Sequence, residues 1–344
     1  MTDAPHRLHL STDALVANWR TLARMSGDGN GGAACGAAVK ADGYGLGARE
    51  VVARLRATGC RDFFVATWAE ARALAAPGVS VSVLHGVREG DMAHVGLAGV
   101  RPVLNTPAQV ARWREAGGGA CDVMVDTGMN RLGIAPADIA AGLLDGLVIE
   151  TLMSHLACAD EESAMNPRQR DAFAALRGAT AARRMSLANS AGIALGTDYA
   201  FDLTRPGLAL YGGVPAPGLP MRPVATIEAE VLQRRRVPAG ATVGYNATWT
   251  APADTWVGIV NLGYADGYWR GFSDRGRAFA GDAALPVIGR VSMDLVALDL
   301  GNADVGEGDR VRFDADLPRA AAASGMSQYE LLTGLGARFE RVWA

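Results

Sequence analysis

Between residues 36 and 213 the chain repeats one pattern, a short apolar run followed by a stretch with helical spacing. The runs are CGAAVK, DFFVAT, VSVLHG, RPVLN, DVMVDT, IETLMSH, MSLAN and FDLTRPGLALYGG. Between them lie segments such as AREVVARLRATG, WAEARALAA, GDMAHVGLAG, TPAQVARWREAGG, APADIAAGLLDG and RQRDAFAALRGATAA. The runs are apolar on both sides rather than alternating, which marks parallel strands with both faces covered. A count of about eight such pairs fits a closed (β/α)8 barrel of the TIM type. An open, doubly wound sheet is the alternative. It requires fewer strands and a G-x-G-x-x-G turn after the first, and no such turn is present. Helix starts are legible too. Thr106 suits a cap with Pro107 at the first helical position, and Ser11 or Thr12 caps a segment with Leu15, Trp19 and Leu22 at helical spacing.

Near residue 220 the pattern changes. RPVATIEAEVLQRRRV, TVGYNATWTA, WVGIVNLGYADGY, LPVIGRVSMDLVALDL and DRVRFD read as strands separated by Gly, Asp and Asn turns, with little helix until SQYELLTGLG. At 344 residues the chain is too long for one small core. We therefore expect a barrel over residues 1–220, its first residues packing with the second domain, and a mostly antiparallel β domain over residues 221–344. A formal net charge of −3 and the lack of a basic patch exclude nucleic acid as an expected partner. No segment is apolar for long enough to span a bilayer, and the N-terminal MTDAPHRLHL lacks a signal-peptide core. Cys35, Cys60, Cys121 and Cys158 are scattered without a C-x-x-C pair. That argues against a disulfide framework or a metal knuckle and for a reducing cytoplasm.

The C-terminal ends of the expected barrel strands carry Lys40, Asp126 with Arg131 after it, His155, Asn189 with Ser190, and Arg205. In a barrel these ends converge on one mouth, where such folds place their chemistry. A lysine ending an apolar strand has two readings. It snorkels out of the rim, or it is a partly desolvated amine suited to a Schiff base. Schiff-base lysines work with and without cofactors, so Lys40 alone does not name the reaction.

AAVKADGYGLGA around Lys40 resembles the cofactor-lysine signature of the alanine racemase family, whose members bind pyridoxal phosphate. VDTGMNRLGI, SHLACADE, ANSAG, RPGLALYG, VGYNATWTA, NLGYADGY and IGRVSMD follow in the family's order, over residues 36 to 294. The resemblance implies a barrel followed by a β domain, a small amino acid as substrate, and interconversion of L- and D-alanine for cell-wall supply or catabolism. Lys40 would hold the cofactor as a Schiff base and then serve as one proton carrier, with Tyr245 as the other on the opposite face of the substrate Cα. Racemisation needs one on each face, and a tyrosine of pKa about 10 needs a nearby positive charge to act as a base. Without the resemblance, Tyr245 reads as a strand aromatic.

Further roles follow from the same resemblance. Arg205 would face the ring nitrogen and keep it unprotonated, since arginine does not accept a proton. His155 would hydrogen-bond Arg205. Tyr44, Asn189, Ser190 and the backbone at Gly207 and Leu208 would hold the cofactor, chiefly its phosphate. Arg131 and Met293 would hold the substrate carboxylate or ring hydroxyl, with Tyr264 and Asp294 at the entrance. A homodimer with shared sites is implied, Tyr245, Tyr264 and Met293 reaching the partner's cofactor.

The sequence departs from the family pattern at Met124, where many members carry a carbamylated lysine that steers the arginine. It departs also at Leu46, where histidine is common, and at Ala337 and Glu340 near the C-terminus. A racemase of another or broader amino-acid range, such as serine, is the alternative. A decarboxylase on the same barrel would place a carboxylate where Arg205 stands. A non-catalytic cofactor carrier would have no use for a β domain bearing Tyr245.

Overall fold

The computed structural model describes residues 4–27 and 32–344. The chain divides into two compact units. One comprises Val16–Leu210 and Val214–Met221; the other comprises the N-terminal segment to Leu15, Tyr211–Gly213 and Arg222–Ala344.

After β1 (His6–Leu10) and α1 (Thr12–Met25), the first unit is built on β2 (Ala34–Cys35), β3 (Ala37–Ala38), β4 (Asp62–Val65), β5 (Ser80–Val83), β6 (Val100–Leu104), β7 (Cys121–Met124), β8 (Ile149–Met153), β9 (Arg184–Ser186) and β10 (Leu203–Thr204). Strands β3 to β9 pair in parallel and in chain order, and β10 pairs with β2. Hydrogen bonds beyond the ladders close the ring. Asp202 and Arg205 donate to the carbonyls of Met185 and Ala188, at 2.9 Å each. On the other side Ala34, Gly36 and Ala38 donate to the carbonyls of Asp202, Thr204 and Pro206 at 3.0, 2.9 and 2.8 Å. The eighth strand of the repeat is thus β10, seated between β9 and the first strand. The first strand is itself broken into β2 and β3 at Gly36.

The crossovers are α2 (Lys40–Tyr44), α3 (Ala48–Ala57), α4 (Trp68–Leu74), α5 (Pro107–Glu115), α6 (Pro136–Ala140), α7 (Met165–Ala174) and α8 (Ser190–Ala194). Ser11 caps α1 and Thr106 caps α5, each hydroxyl accepting a backbone N–H at 3.1 and 3.2 Å. The segment GDMAHVGLAG forms only a 3-10 turn, Glu89–His94, because Gly96 and Gly99 take positive φ and end it.

The barrel interior is polar at one level. Ser82 on β5 donates to Asp122 on β7 at 2.6 Å, and Arg184 on β9 grips Asp62 on β4 at 2.7 and 3.0 Å. Neither pair joins neighbouring strands, so both cross the inside of the ring. Arg101 stands 3.5 Å from Asp122, which is fully buried. Burial pushes the Asp122 carboxyl up despite that arginine.

In the second unit, β11 (Ala225–Val237), β14 (Thr255–Asn261), β15 (Arg277–Ala280), β16 (Ala283–Ile288), β17 (Leu295–Asp299) and β18 (Arg310–Phe313) form an antiparallel ring in the order β14-β17-β16-β15-β18-β11, with β11 also pairing β14. A register shift between Val231 and Gln233 bends β11 so that its halves serve different partners. β1 pairs antiparallel with β11 and parallel with β19 (Glu340–Trp343). A small hairpin of β12 (Thr242–Val243) and β13 (Trp249–Thr250) stands apart. Two helices follow late, α9 (Leu317–Ser324) and α10 (Gln328–Thr333). Only α10 is expected from sequence. No helix among the described residues is long and apolar enough to cross a membrane.

Gly36 sits where the ring closes, and a Cβ there would lie 2.8 Å from the Asp62 carbonyl and 2.9 Å from the Phe64 ring. Gly36→Ala is expected to destabilise the protein by about 1–3 kcal/mol, the cost of overpacking. The check is a lower urea midpoint at unchanged slope.

Candidate active site

Lys40 leaves β3 directly, at the C-terminal end of the strand. Ala41 (φ 53°), Asp42 (φ 53°), Gly43 (φ 63°) and Tyr44 (φ 57°) then form one turn of left-handed helix. Gly43 donates to the Val39 carbonyl at 2.8 Å and Gly45 to that of Ala41 at 2.9 Å. Each non-glycine residue in this region costs about 1–2 kcal/mol. The turn therefore persists because its surroundings over-determine it. Asp42 accepts the Ala48 N–H at 2.8 Å, and Glu70 of α4 accepts the Ala41 N–H at 2.7 Å. The outcome is a lysine exposed at the mouth and a buried Tyr44.

Tyr44 meets the segment after β10. A Cβ on Gly207 would lie 2.1 Å from the Tyr44 hydroxyl oxygen, so only glycine fits. Ser190, the first residue of α8, accepts the N–H groups of Gly207 at 2.9 Å and Ala209 at 3.2 Å. Asn189 caps the same helix, accepting the Gly192 N–H at 2.8 Å. Tyr44, Asn189, Ser190, Gly207 and Leu208 are thus gathered at one edge of the mouth.

Arg205 is buried. Its guanidinium donates to the Ser186 hydroxyl and, at 2.6 Å, to the Ser154 carbonyl, and lies 5.8 Å from the centre of the Phe64 ring. The expected hydrogen bond to His155 is not formed. Backbone and serine oxygens on β9 and after β8 have taken the donors instead, and His155 feels Arg205 only through its charge. Arg131 makes no hydrogen bond or ion pair among the described residues. Its loop is shaped by Asp126, which accepts from Gly128 at 2.8 Å and Asn130 at 3.1 Å. Met124, in place of a modifiable lysine, is buried on β7.

The mouth is short of negative charge. Although the Lys40 side chain opens to solvent, desolvation by the walls of the mouth first, and then the Arg131 charge, hold its amine below its ordinary pKa, with Glu70 opposing. Burial lowers Arg205 to about 10, and Asp122 opposes it. Burial and then the charges of Arg205, Arg131 and Lys40 push His155 down to about 3, so its ring is neutral at pH 7. Three cations with so little compensation suit an anionic guest.

The remaining expected residues lie in the second unit. Tyr245 tops the β12–β13 hairpin and is 69% exposed, its neighbours Gly244, Asn246 and Ala247 all at positive φ. Tyr264 and Met293 are brought together by backbone. Tyr264 donates to the Ser292 carbonyl and Ala265 to that of Met293, both at 3.0 Å. Gly263 has no room for a Cβ, which would lie 2.2 Å from the Met293 carbonyl oxygen. Arg338 ties the two segments, donating to buried Asp266 at 2.7 Å and to Asp294 at 2.8 Å.

Ser154, Ser186, Glu70 and Arg338 are missing from the expectations. Thr67-x-x-Glu70 announces a capping box, which α4 does have. Its second function toward Ala41 carries no local signal.

Because His155 is depressed from 6.5 to about 3 in the folded chain, the unfolded chain binds the extra proton first. Its contribution to stability is present above pH 6.5 and is lost as pH falls toward 3. In His155→Asn, the loss of stability over that window is expected to be smaller than in the parent, measured by urea unfolding at stepped pH.

The N-terminal domain model of alanine racemase matches residues 10–215, and the C-terminal domain model matches residues 224–343. The chain is 41% identical to the alanine racemase of Acidiphilium cryptum, covering 97% of this chain and 98% of that one. It is 40% identical to a catabolic alanine racemase of Mesorhizobium japonicum, over 97% and 92%. Among solved structures it is similar to alanine racemase from Bartonella henselae with covalently bound pyridoxal phosphate, at TM-score 0.90 and 31% identity, covering 99% of this chain and 100% of that one. With matches running through both units, the chain belongs to the alanine racemase family.

Proposed function

We propose that this chain is a pyridoxal-phosphate-dependent alanine racemase acting by two proton carriers. The observation that carries the reading is one barrel mouth holding a lysine of lowered basicity together with a buried arginine. The residues fit the cofactor. Ser190 accepts two backbone N–H groups and so has its own proton left to donate outward, beside a Gly207 with no Cβ. That cradle suits a phosphate, with Tyr44 and the backbone N–H of Leu208 as further donors; the Gly207 N–H is already given to Ser190, so Gly207 serves by the space its missing Cβ leaves. The shortage of negative charge suits the phosphate and a substrate carboxylate together.

Bound there, pyridoxal phosphate supplies an electron sink for the charge left when a Cα proton is removed. Lys40 would hold the cofactor covalently, and its free amine would take or return the Cα proton on one face. Tyr245 does the same on the other. Arg205 would donate to the ring nitrogen and has no proton vacancy, which would keep the sink weak and favour return of the proton over other outcomes. His155, neutral, adds no charge that would compete. Arg131 and the Met293 backbone hold the carboxylate, with Tyr264 and Asp294 at the entrance. Enantiomers have equal free energies, so the reaction runs either way, and supply or breakdown of D-alanine is set by concentrations. The four cysteines are free thiols, which supports a reducing cytoplasm as the location.

We further propose that the working form is a homodimer with shared sites, the partner's Tyr245 completing each mouth. Exposed Tyr245, Met293 and Leu295 support this, since large apolar side chains left open on one unit mark a contact surface.

Four outcomes are expected. With L-alanine in deuterated water, deuterium enters Cα as the D-form appears; carbon dioxide release, or bound cofactor without turnover, would overturn the reading. Lys40→Ala loses both the yellow colour and turnover. Tyr245→Phe keeps the colour and loses about 10²–10⁴-fold in kcat. Co-expressing Lys40→Ala with Tyr245→Phe restores about a quarter of parental activity, because a mixed dimer has one intact site. No recovery from proven mixed dimers would eliminate shared sites.

A further inference from the structure

We propose that Glu70 is the positioning residue for Lys40, its carboxylate tying the strained turn that follows the lysine to the start of the next β/α unit. This deepens the reading of Lys40 as the cofactor lysine and rests on it. The geometry uses both carboxylate oxygens. Oε1 accepts the Ala41 N–H at 2.7 Å. Oε2 accepts the N–H of Ala66 at 2.7 Å and of Thr67 at 3.0 Å. One side chain thereby spans from the residue after Lys40 to the junction of β4 and α4.

A capping glutamate needs only its own helix start, and here the Thr67–Glu70 box already provides that. The bond to Ala41 is additional, and it falls where help is needed. Ala41 and Asp42 are both held at φ 53°, a conformation that must be paid for by fixed contacts. Asp42 secures the far side of the turn through Ala48, and Glu70 secures the near side. Glutamine cannot substitute. Its single carbonyl oxygen serves one of the two groups of donors, and its amide then turns N–H toward N–H at the other.

The carboxylate also acts on the amine. The charged groups facing Lys40 are Arg131 from the loop after β7 and Glu70 from α4, with neutral His155 beyond β8 and Asp42 on its own turn, bonded to Ala48. Arg131 favours the neutral amine and Glu70 the protonated one. Removing the Glu70 charge therefore moves the amine further in the direction in which Arg131 already pushes it.

The test is pyridoxal phosphate titrated into the full-length protein after cofactor removal, followed by visible absorbance across pH. In Glu70→Gln, the pH midpoint of covalent capture is expected to fall. Well above that midpoint the cofactor is expected to bind about tenfold more weakly, the loss of one hydrogen bond to a charged acceptor. Thr67→Ala removes the helix cap without touching Ala41, so it should lower thermal stability and leave both readings at the parental values. Adding Ala41→Gly to Glu70→Gln relieves the strain and should recover part of the affinity while leaving the midpoint low. The same double variant serves if the single one does not fold. Parental midpoint and affinity in Glu70→Gln, or equal behaviour of Glu70→Gln and Thr67→Ala, would show that Glu70 is a helix cap and nothing more. Covalent capture by Lys40→Ala would instead refute the cofactor-lysine reading itself.

Discussion

A guanidinium sealed inside a barrel is the constraint on which the rest of this structure depends. Arg205 is buried, and no carboxylate touches it. Two oxygens, the Ser186 hydroxyl and the Ser154 carbonyl, accept from it, and Asp122 compensates it only at a distance. Such a group is tolerated because the polar level of the barrel is otherwise balanced. Asp62 with Arg184 and Asp122 with Arg101 cancel in pairs. The surplus positive charge therefore appears at the mouth, where it lowers the basicity of a lysine, silences a histidine and leaves the cavity short of an anion.

The barrel was legible because periodicity reports it. Runs covered on both faces, helix caps at Ser11 and Thr106, and Pro107 at a helix start all state local preferences that tertiary structure then respects. The polar level was not. Asp62, Arg101 and Asp122 open their apolar runs and Ser82 interrupts one, and nothing local shows that they meet across the ring rather than facing solvent. α9, which is not among the expected elements, carries local signals of its own. Asp316 as cap, Pro318 in the first turn and Gly325 at φ 75° are start and stop signals bracketing an alanine-rich segment.

The site divides in the same way. Lys40, His155, Asn189, Ser190 and Arg205 are legible as candidates because they stand at strand ends, which converge in this fold. The residues that hold them are not legible, because support is given across sequence separations that no spacing encodes. Ser186 reaches Arg205 from 19 positions away and Glu70 reaches Ala41 from 29. The left-handed turn after Lys40 is the clearest case. ADGY contains one glycine, and three other residues adopt a conformation that their own preferences oppose.

The placement of β1 has a consequence for folding. Its five residues lie between β11 and β19, so Arg7 pairs with Glu340 across a separation of 333 positions. His6 lies with it, buried 3.4 Å from Asp266 and edge-on to Phe339. Contacts so distant in sequence form slowly, whereas the β/α units between them close locally. The second unit is thereby fastened by strands that bracket the whole barrel in sequence.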